Sequence, residues 1–116
     1  MIIMLLEFLT QVRVLHWQTS KYNNHIVFGD LYDSLSDSTD KLLEVAFGEG
    51  SPKRLTPDGD STEIILYEIE SLELDNFFFE YIATLNQVKS GIPSLTNIVD
   101  GMIDEINKTK YLLQLK

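Results

Sequence analysis

Residues 15–44, LHWQTSKYNNHIVFGDLYDSLSDSTDKLLE, contain the end of one apolar segment, a short polar break and a second, longer segment. The second segment carries acidic residues at spacings of 3, 4, 3 and 4, which are Asp30, Asp33, Asp37, Asp40 and Glu44. On a helix turning about 100° per residue these side chains lie within about 80° of one another, so they form one acidic stripe. The opposite face is apolar and contains Phe28, Leu31, Leu35, Leu42 and Ala46. This pattern predicts an amphipathic helix that packs against other helices.

Apolar residues at helical spacing predict four helices, at about 2–19, 24–47, 61–89 and 93–115. An asparagine in the polar break is predicted to cap the second helix, and Gly48, Gly50 and Pro52 are predicted to end it. The tetrapeptide Asp60-Ser61-Thr62-Glu63 matches a capping box, which predicts that the third helix begins there. Pro93 suits the first turn of the fourth helix.

These helices predict an all-α protein, an antiparallel four-helix bundle in a single domain spanning residues 1–116. The connection at 48–60 is the longest and can hold the crossover that separates ferritin-like topology from a plain up-down-up-down bundle.

The third predicted helix carries an apolar stripe of Ile65, Ile69, Leu72 and Phe79. The run Phe77-Phe78-Phe79 points around most of that helix. It is compatible either with the core alone or with a core and a subunit interface.

Composition excludes several classes of function. The chain has 18 acidic and 9 basic residues and a net charge of −9, and its bases are scattered, so we expect no direct binding to nucleic acid. No apolar run approaches the roughly 20 residues that cross a bilayer, so we expect no membrane association. Without cysteine there is neither a disulfide nor a thiolate metal site. A cytoplasmic location is the default, within a host cell or a virion if the protein is viral.

His16, His25 and the acidic stripe form the only group of residues with metal-ligand character. Imidazole with carboxylates suits iron, zinc or manganese. However, the chain lacks the Glu-x-x-His motif of di-iron bundles, and the stripe lies opposite the apolar face. It is therefore either a solvated surface or a site completed by a second copy. His16 alone is compatible with a half-buried, hydrogen-bonded residue or a ligand, whereas His25 is expected to be exposed or capping.

No nucleophile motif and no phosphate-binding glycine loop is present, and Asp58-Gly59-Asp60 is explained as a turn.

The order of these features resembles the Dps-like branch of ferritin-like proteins, the starvation-type miniferritins. Shared features are Leu15-His16-Trp17 closing an apolar helix, Leu31-Tyr32-Asp33-Ser34-Leu35 and Asp40-x-x-x-Glu44 in the next helix, and Ile92-Pro93-Ser94-Leu95 opening the last. The chain is similar, and more closely, to short bacteriophage proteins with a Leu-His-Trp-Gln-Thr motif. These resemblances imply a ferritin-like bundle of phage origin that forms homo-oligomers.

In the Dps-like family, a His before Trp, a second His and an acid from one subunit bind iron together with an Asp-x-x-x-Glu pair from the dimer mate. By position, the resemblance implies His16 and Asp33 as ligands. In the same register the second His is replaced by Gly29, the next acid is Glu44, and the last Glu is replaced by Gly48.

The incomplete positions have substitutes nearby in the sequence. His25 lies one turn before the lost His, and Asp40 with Glu44 has the spacing of the acidic pair after a shift of four residues. Asp37 and Asp40 then surround the ligands or guide ions to them. The resemblance implies iron oxidation and sequestration, but the chain lacks the family's basic N-terminal tail and with it the expected DNA binding.

Two hypotheses follow from the sequence. In the first, a ferritin-like bundle self-associates through the face that bears His16, Asp33 and Glu44, with iron or another divalent metal at the interface. In the second, the chain keeps the bundle without a metal and acts as a non-enzymatic interaction protein, such as a virion component or an acidic inhibitor of a host factor. Whether the protein is an enzyme stays open at this point.

Overall fold

The fold is described from a computed structural model, which defines residues 1–51, 55, 58–59 and 61–115. Its helices are α1 (Ile2–Gln18), α2 (Tyr22–Gly48), α3 (Leu74–Gly91) and α4 (Thr96–Leu113), and a single 3₁₀ turn (Pro93–Leu95) precedes α4. These described residues contain no strand, so the all-α class is confirmed. Among the same residues, no helix combines the length and the apolar character needed to span a membrane.

The core lies between the four helices and is built from the apolar positions that recur at helical spacing. All five residues on the predicted apolar face of α2 are buried, as are Leu95, Val99, Met102 and Ile106 around α4. Helix α1 packs on α2, α2 on α4 and α4 on α3. Ring contacts of Phe8 with Phe77, at 5.8 Å between centroids, and with Tyr81, at 4.6 Å, join α1 to α3 and close the bundle.

The ends of α2 and α3 lie at the same end of the bundle. At one end the Ser94 hydroxyl donates to a Glu49 carboxylate oxygen, which joins the start of α4 to the end of α2. A small cavity at the same end is lined by Met1 and Val88, from the start of α1 and the end of α3. Helices α2 and α3 therefore point the same way, and the chain crosses over between them.

The third helix begins 13 residues later than the capping box predicted, at Leu74 and not at Ser61. Residues 61–73 form a non-helical strap across α1, with a turn at 69–71. The buried Gln11 side chain holds this strap: its Nε2 donates to the Tyr67 carbonyl at 3.0 Å, and its Oε1 accepts from the Tyr67 N–H at 2.8 Å. The Gln18 Oε1 accepts from the Ile69 N–H at 3.0 Å. These bonds to α1 use backbone groups of Tyr67 and Ile69 that a helix through residues 61–73 would need for its own hydrogen bonds.

Other expectations about the third segment also change. Pro52 and Asp60, on which the predicted helix end and capping box partly rested, lie outside the described residues. The predicted stripe is wrong at Ile65 and Phe79, which are exposed, whereas Ile69 and Leu72 pack against the core.

Helix α2 ends at a glycine as predicted, but no side chain caps its start. Gly50, with φ of 83°, follows α2 and its N–H donates to the Phe47 carbonyl, as the predicted glycine terminus requires. The start of α2 differs from the prediction, because its N-cap is Lys21 and not an asparagine, and no side chain caps it.

Tyr81 contributes a buried polar group to an otherwise apolar core. Its ring is fully buried, and its hydroxyl has no hydrogen-bond partner among the described residues. Burial raises the pKa of this phenol above its ordinary value of 10.0, because the core disfavours the phenolate. The folded protein therefore loses stability once the pH rises above 10.0, where the unfolded chain ionises and the folded chain does not.

Candidate functional site

The corner between α1 and α2 holds a stacked pair of histidines. The rings of His16 and His25 lie 3.9 Å apart between centroids and are inclined by 21°. The His16 Nδ1 lies 2.7 Å from the His25 carbonyl oxygen, and the His25 Nδ1 lies 2.9 Å from the His16 carbonyl oxygen. These reciprocal bonds join the last turn of α1 to the first turn of α2. Both rings are half-buried, which corrects the expectation that His25 is exposed or capping.

The reciprocal bonds determine which ring nitrogen carries the proton. A carbonyl oxygen can only accept, so both Nδ1 atoms are protonated. In the neutral rings, Nε2 is then the atom with a free lone pair, and it has no partner among residues 1–51 and 61–115. An Nδ1–H bonded to a carbonyl is the arrangement that orients metal-binding imidazoles. The pair therefore offers two oriented nitrogen donors.

Gly29 makes this arrangement possible, because the His16 ring lies directly over it. A Cβ at this position would lie 2.9 Å from the His16 Cε1 and 3.0 Å from its Nδ1. The absence of a side chain at Gly29 thus leaves the space that the His16 ring occupies.

An aromatic and cationic group lies beside the pair on the outer side of the α1–α2 corner. The Arg13 guanidinium lies 4.6 Å from the Tyr32 ring centroid and 5.5 Å from that of Trp17. Trp17 and Tyr22 are largely exposed, and the Tyr22 ring lies 6.5 Å from that of His25. Exposed aromatic rings beside an arginine are typical of binding surfaces.

The acidic residues predicted as ligands remain apart from the histidine pair. All members of the stripe are exposed on α2: Asp30, Asp33, Asp37, Asp40 and Glu44. Within the described part of the chain, no three His, Asp or Glu side chains approach closely enough to hold a metal ion. The structure therefore brings together His16 and His25 and leaves the acids facing outward.

The replacement Gly29→Ala tests the histidine pair. We expect it to displace the His16 ring and break both reciprocal bonds, because the new methyl group overlaps the ring. Gly101→Ala on α4 is the control, since a Cβ there meets nothing within 4 Å. Gly101→Ala should raise the free energy of unfolding by about 0.5–1 kcal/mol, because alanine has a higher helix propensity than glycine. Gly29→Ala should not raise it.

The measurements are the free energy of unfolding and the NMR signals of both imidazole rings. If Gly29→Ala stabilises as much as Gly101→Ala and leaves the imidazole signals unchanged, the ring does not lie over Gly29.

Sequence reasoning singled out both histidines but missed their contact and the role of Gly29. A glycine inside a long amphipathic helix was the available signal, because it lowers helix stability unless something lies against it. The contact of Arg13 with Tyr32 had no signal along the sequence, since Tyr32 belongs to the next helix, whereas Trp17, four residues after Arg13, lies within reach on the same helix.

The fold and the corner define a helical bundle with an oriented histidine pair and a separate, exposed acidic stripe on α2. The chain belongs to a family of unknown function (DUF5856), whose profile matches residues 16–113. The matched region begins at His16 and includes the whole of α2, α3 and α4. Comparisons with curated proteins and with solved structures return no match.

Proposed function

We propose that this protein is a ferritin-like bundle that works by binding, and that it self-associates through the outer face of the α1–α2 hairpin. The observation that carries this proposal is a row of apolar side chains left in solvent on that face. Leu6, Trp17, Tyr22 and Ile26 are between 43% and 79% exposed. Exposed apolar surface beside a polar rim is typical of protein interfaces.

Spacing places these residues together. On α1, Leu6, Arg13 and Trp17 are 7 and 4 residues apart, and on α2, Tyr22, Ile26 and Asp33 are 4 and 7 apart. Such intervals put side chains on one side of a helix. The Arg13 guanidinium packs on the Tyr32 ring, so the side of α1 that carries Trp17 adjoins α2. A second copy can therefore cover α1 and α2 together.

A divalent metal at this interface is the second candidate, and the free Nε2 atoms of His16 and His25 support it. One chain alone does not assemble three ligands among its described residues, so a second copy must supply the others. We assign Glu44 of the second copy to this role, and Asp33, about 16 Å away along α2, to the chain that supplies the histidines, with Asp37 and Asp40 around them. The imidazole and carboxylate set suits iron or zinc, and a cation there would also offset the repulsion between two acidic stripes.

Native mass spectrometry of the purified protein, with and without anaerobic ferrous iron, tests both candidates. We expect the wild type to form dimers or larger symmetric assemblies. Trp17→Glu should weaken association by about tenfold or more, because it places a charge in the interface. Phe79→Glu is the matched control, since Phe79 is as exposed as Trp17 but lies on α3.

The outcomes separate the two candidates. A monomeric wild type, or equal effects of Trp17→Glu and Phe79→Glu, would overturn self-association through this face. Assemblies that take up no iron would overturn the iron site and leave self-association standing. If iron binds, the double variant Asp33→Asn with Glu44→Gln should abolish uptake without unfolding the protein, since both side chains are exposed.

A further inference from the structure

The strap presents an unpaired backbone edge on the side away from α1. The N–H and the carbonyl of Tyr67 both point towards Gln11, and the N–H of Ile69 points towards Gln18. Tyr67 directs its N–H and its carbonyl to the same side, which is the geometry of extended backbone. Continued through residues 64–66, this geometry alternates sides and turns the groups of Ile64 and Leu66 away from α1. Neither residue has a backbone hydrogen bond within the described residues.

The side chains of this segment suit strand pairing. Ile64, Ile65, Leu66 and Tyr67 are β-branched, aliphatic or aromatic, and all are exposed. An extended apolar segment with an open edge is a template on which another strand adds. The strap therefore has the backbone and the side chains of a strand without a strand beside it.

Charge indicates what kind of strand fits. Residues 55–88 contain eight acids and no Lys, Arg or His. Pairing two straps would bring two strongly acidic segments together, which like-charge repulsion opposes. A strand that carries Lys or Arg brings the opposite charge.

A cavity beside the strap offers a place for a basic side chain. It has a volume of about 260 Å³ between α1, α3 and the strap, and Ile65 and Tyr67 are among its lining residues. The charged groups that line it are the carboxylates of Glu7, Glu73 and Glu80, with no basic residue among them, and Phe8 and Phe77 add aromatic rings. A Lys or Arg side chain on the strand face of Ile65 and Tyr67 lies next to this cavity.

We propose that the open edge of the strap binds an extended peptide segment of another protein, one that alternates apolar with Lys or Arg residues. The peptide adds a strand along residues 63–68, and one of its basic side chains enters the cavity between Glu7, Glu73 and Glu80. This surface is separate from the outer face of α1 and α2, so the inference does not rest on the proposed self-association.

Fluorescence anisotropy with a labelled synthetic peptide tests the proposal. The probe is a blocked peptide of about nine residues, a typical strand length, that alternates Lys and Val. Two matched peptides accompany it: one with Glu in place of every Lys, and one with N-methyl groups on alternate residues, which removes the donors of one edge. We expect the Lys peptide to bind, the Glu peptide not to bind, and N-methylation to weaken binding by about tenfold or more.

Protein variants locate the binding surface. Leu66→Pro removes an outward N–H and should weaken binding by about tenfold, whereas Leu66→Val keeps that donor and should bind as the wild type does. Glu73→Gln with Glu80→Gln should weaken binding, and Asp30→Asn with Asp104→Asn, which changes the charge equally at exposed positions on α2 and α4, should not. Circular dichroism of each variant checks that the helices are retained.

Three results would overturn the inference. Equal binding of the N-methylated peptide would exclude strand addition. If the two charge variants lose peptide binding equally, the overall negative charge of the protein attracts the peptide and the cavity does not. A wild-type dimer that Leu66→Pro dissociates would make a second copy the occupant of the edge.

Discussion

Phe78→Ala is expected to lower the free energy of unfolding by about 3–5 kcal/mol, because it empties the place of a large side chain in the core. Phe78 is 1% exposed, whereas its neighbour Phe79 is 69% exposed on the same helix. Phe79→Ala is the matched control and should change the free energy of unfolding by less than about 0.5 kcal/mol.

Chemical denaturation followed by circular dichroism measures both changes. Comparable losses in the two variants would mean that both rings are buried in solution, for example because Phe79 lies in an interface between copies. Repeating the measurement at several protein concentrations separates that case, since an interface makes stability depend on concentration.

Gln11→Met is expected to lower the free energy of unfolding by about 2 kcal/mol and to release the strap from α1. Gln11 is only 2% exposed, and its amide makes both hydrogen bonds to the backbone of Tyr67. Methionine has a similar length and helix propensity, so the variant removes the hydrogen bonds and leaves the helix intact. Gln18→Met is the control. It removes one exposed hydrogen bond and should lower the free energy of unfolding by less than about 1 kcal/mol.

Denaturation gives the energies, and limited proteolysis within residues 61–73 reports the release of the strap. We expect the Gln11 variant to be cleaved there faster than the wild type, with the Gln18 variant between them. If cleavage is unchanged in Gln11→Met, the side-chain amide does not hold the strap. Release of the strap should also weaken the binding of the Lys and Val peptide, because the open edge then lacks a fixed position.

Much of the helical architecture could be predicted from local pattern. The apolar face of α2, the exposed acidic stripe and the glycine end of α2 followed from residues three or four apart and from the left-handed conformation that glycine accepts. The candidate site was predicted only in part. His16 and His25 were singled out as separate residues, and their contact depends on how two helices meet.

The sequence by itself determined the helical class and the core face of α2, because both depend on periodicity within a few turns of one segment. Tertiary structure determined that residues 61–73 form the strap and not a helix. There, local apolar spacing and a capping motif favoured a helix, but the amide of Gln11, 56 residues away, takes both backbone groups of Tyr67. It also decided that the two histidines share a pair of hydrogen bonds, since that contact needs the space over Gly29. Periodicity reports what each segment can form alone, whereas the choice between competing hydrogen bonds depends on groups that only the folded chain brings together.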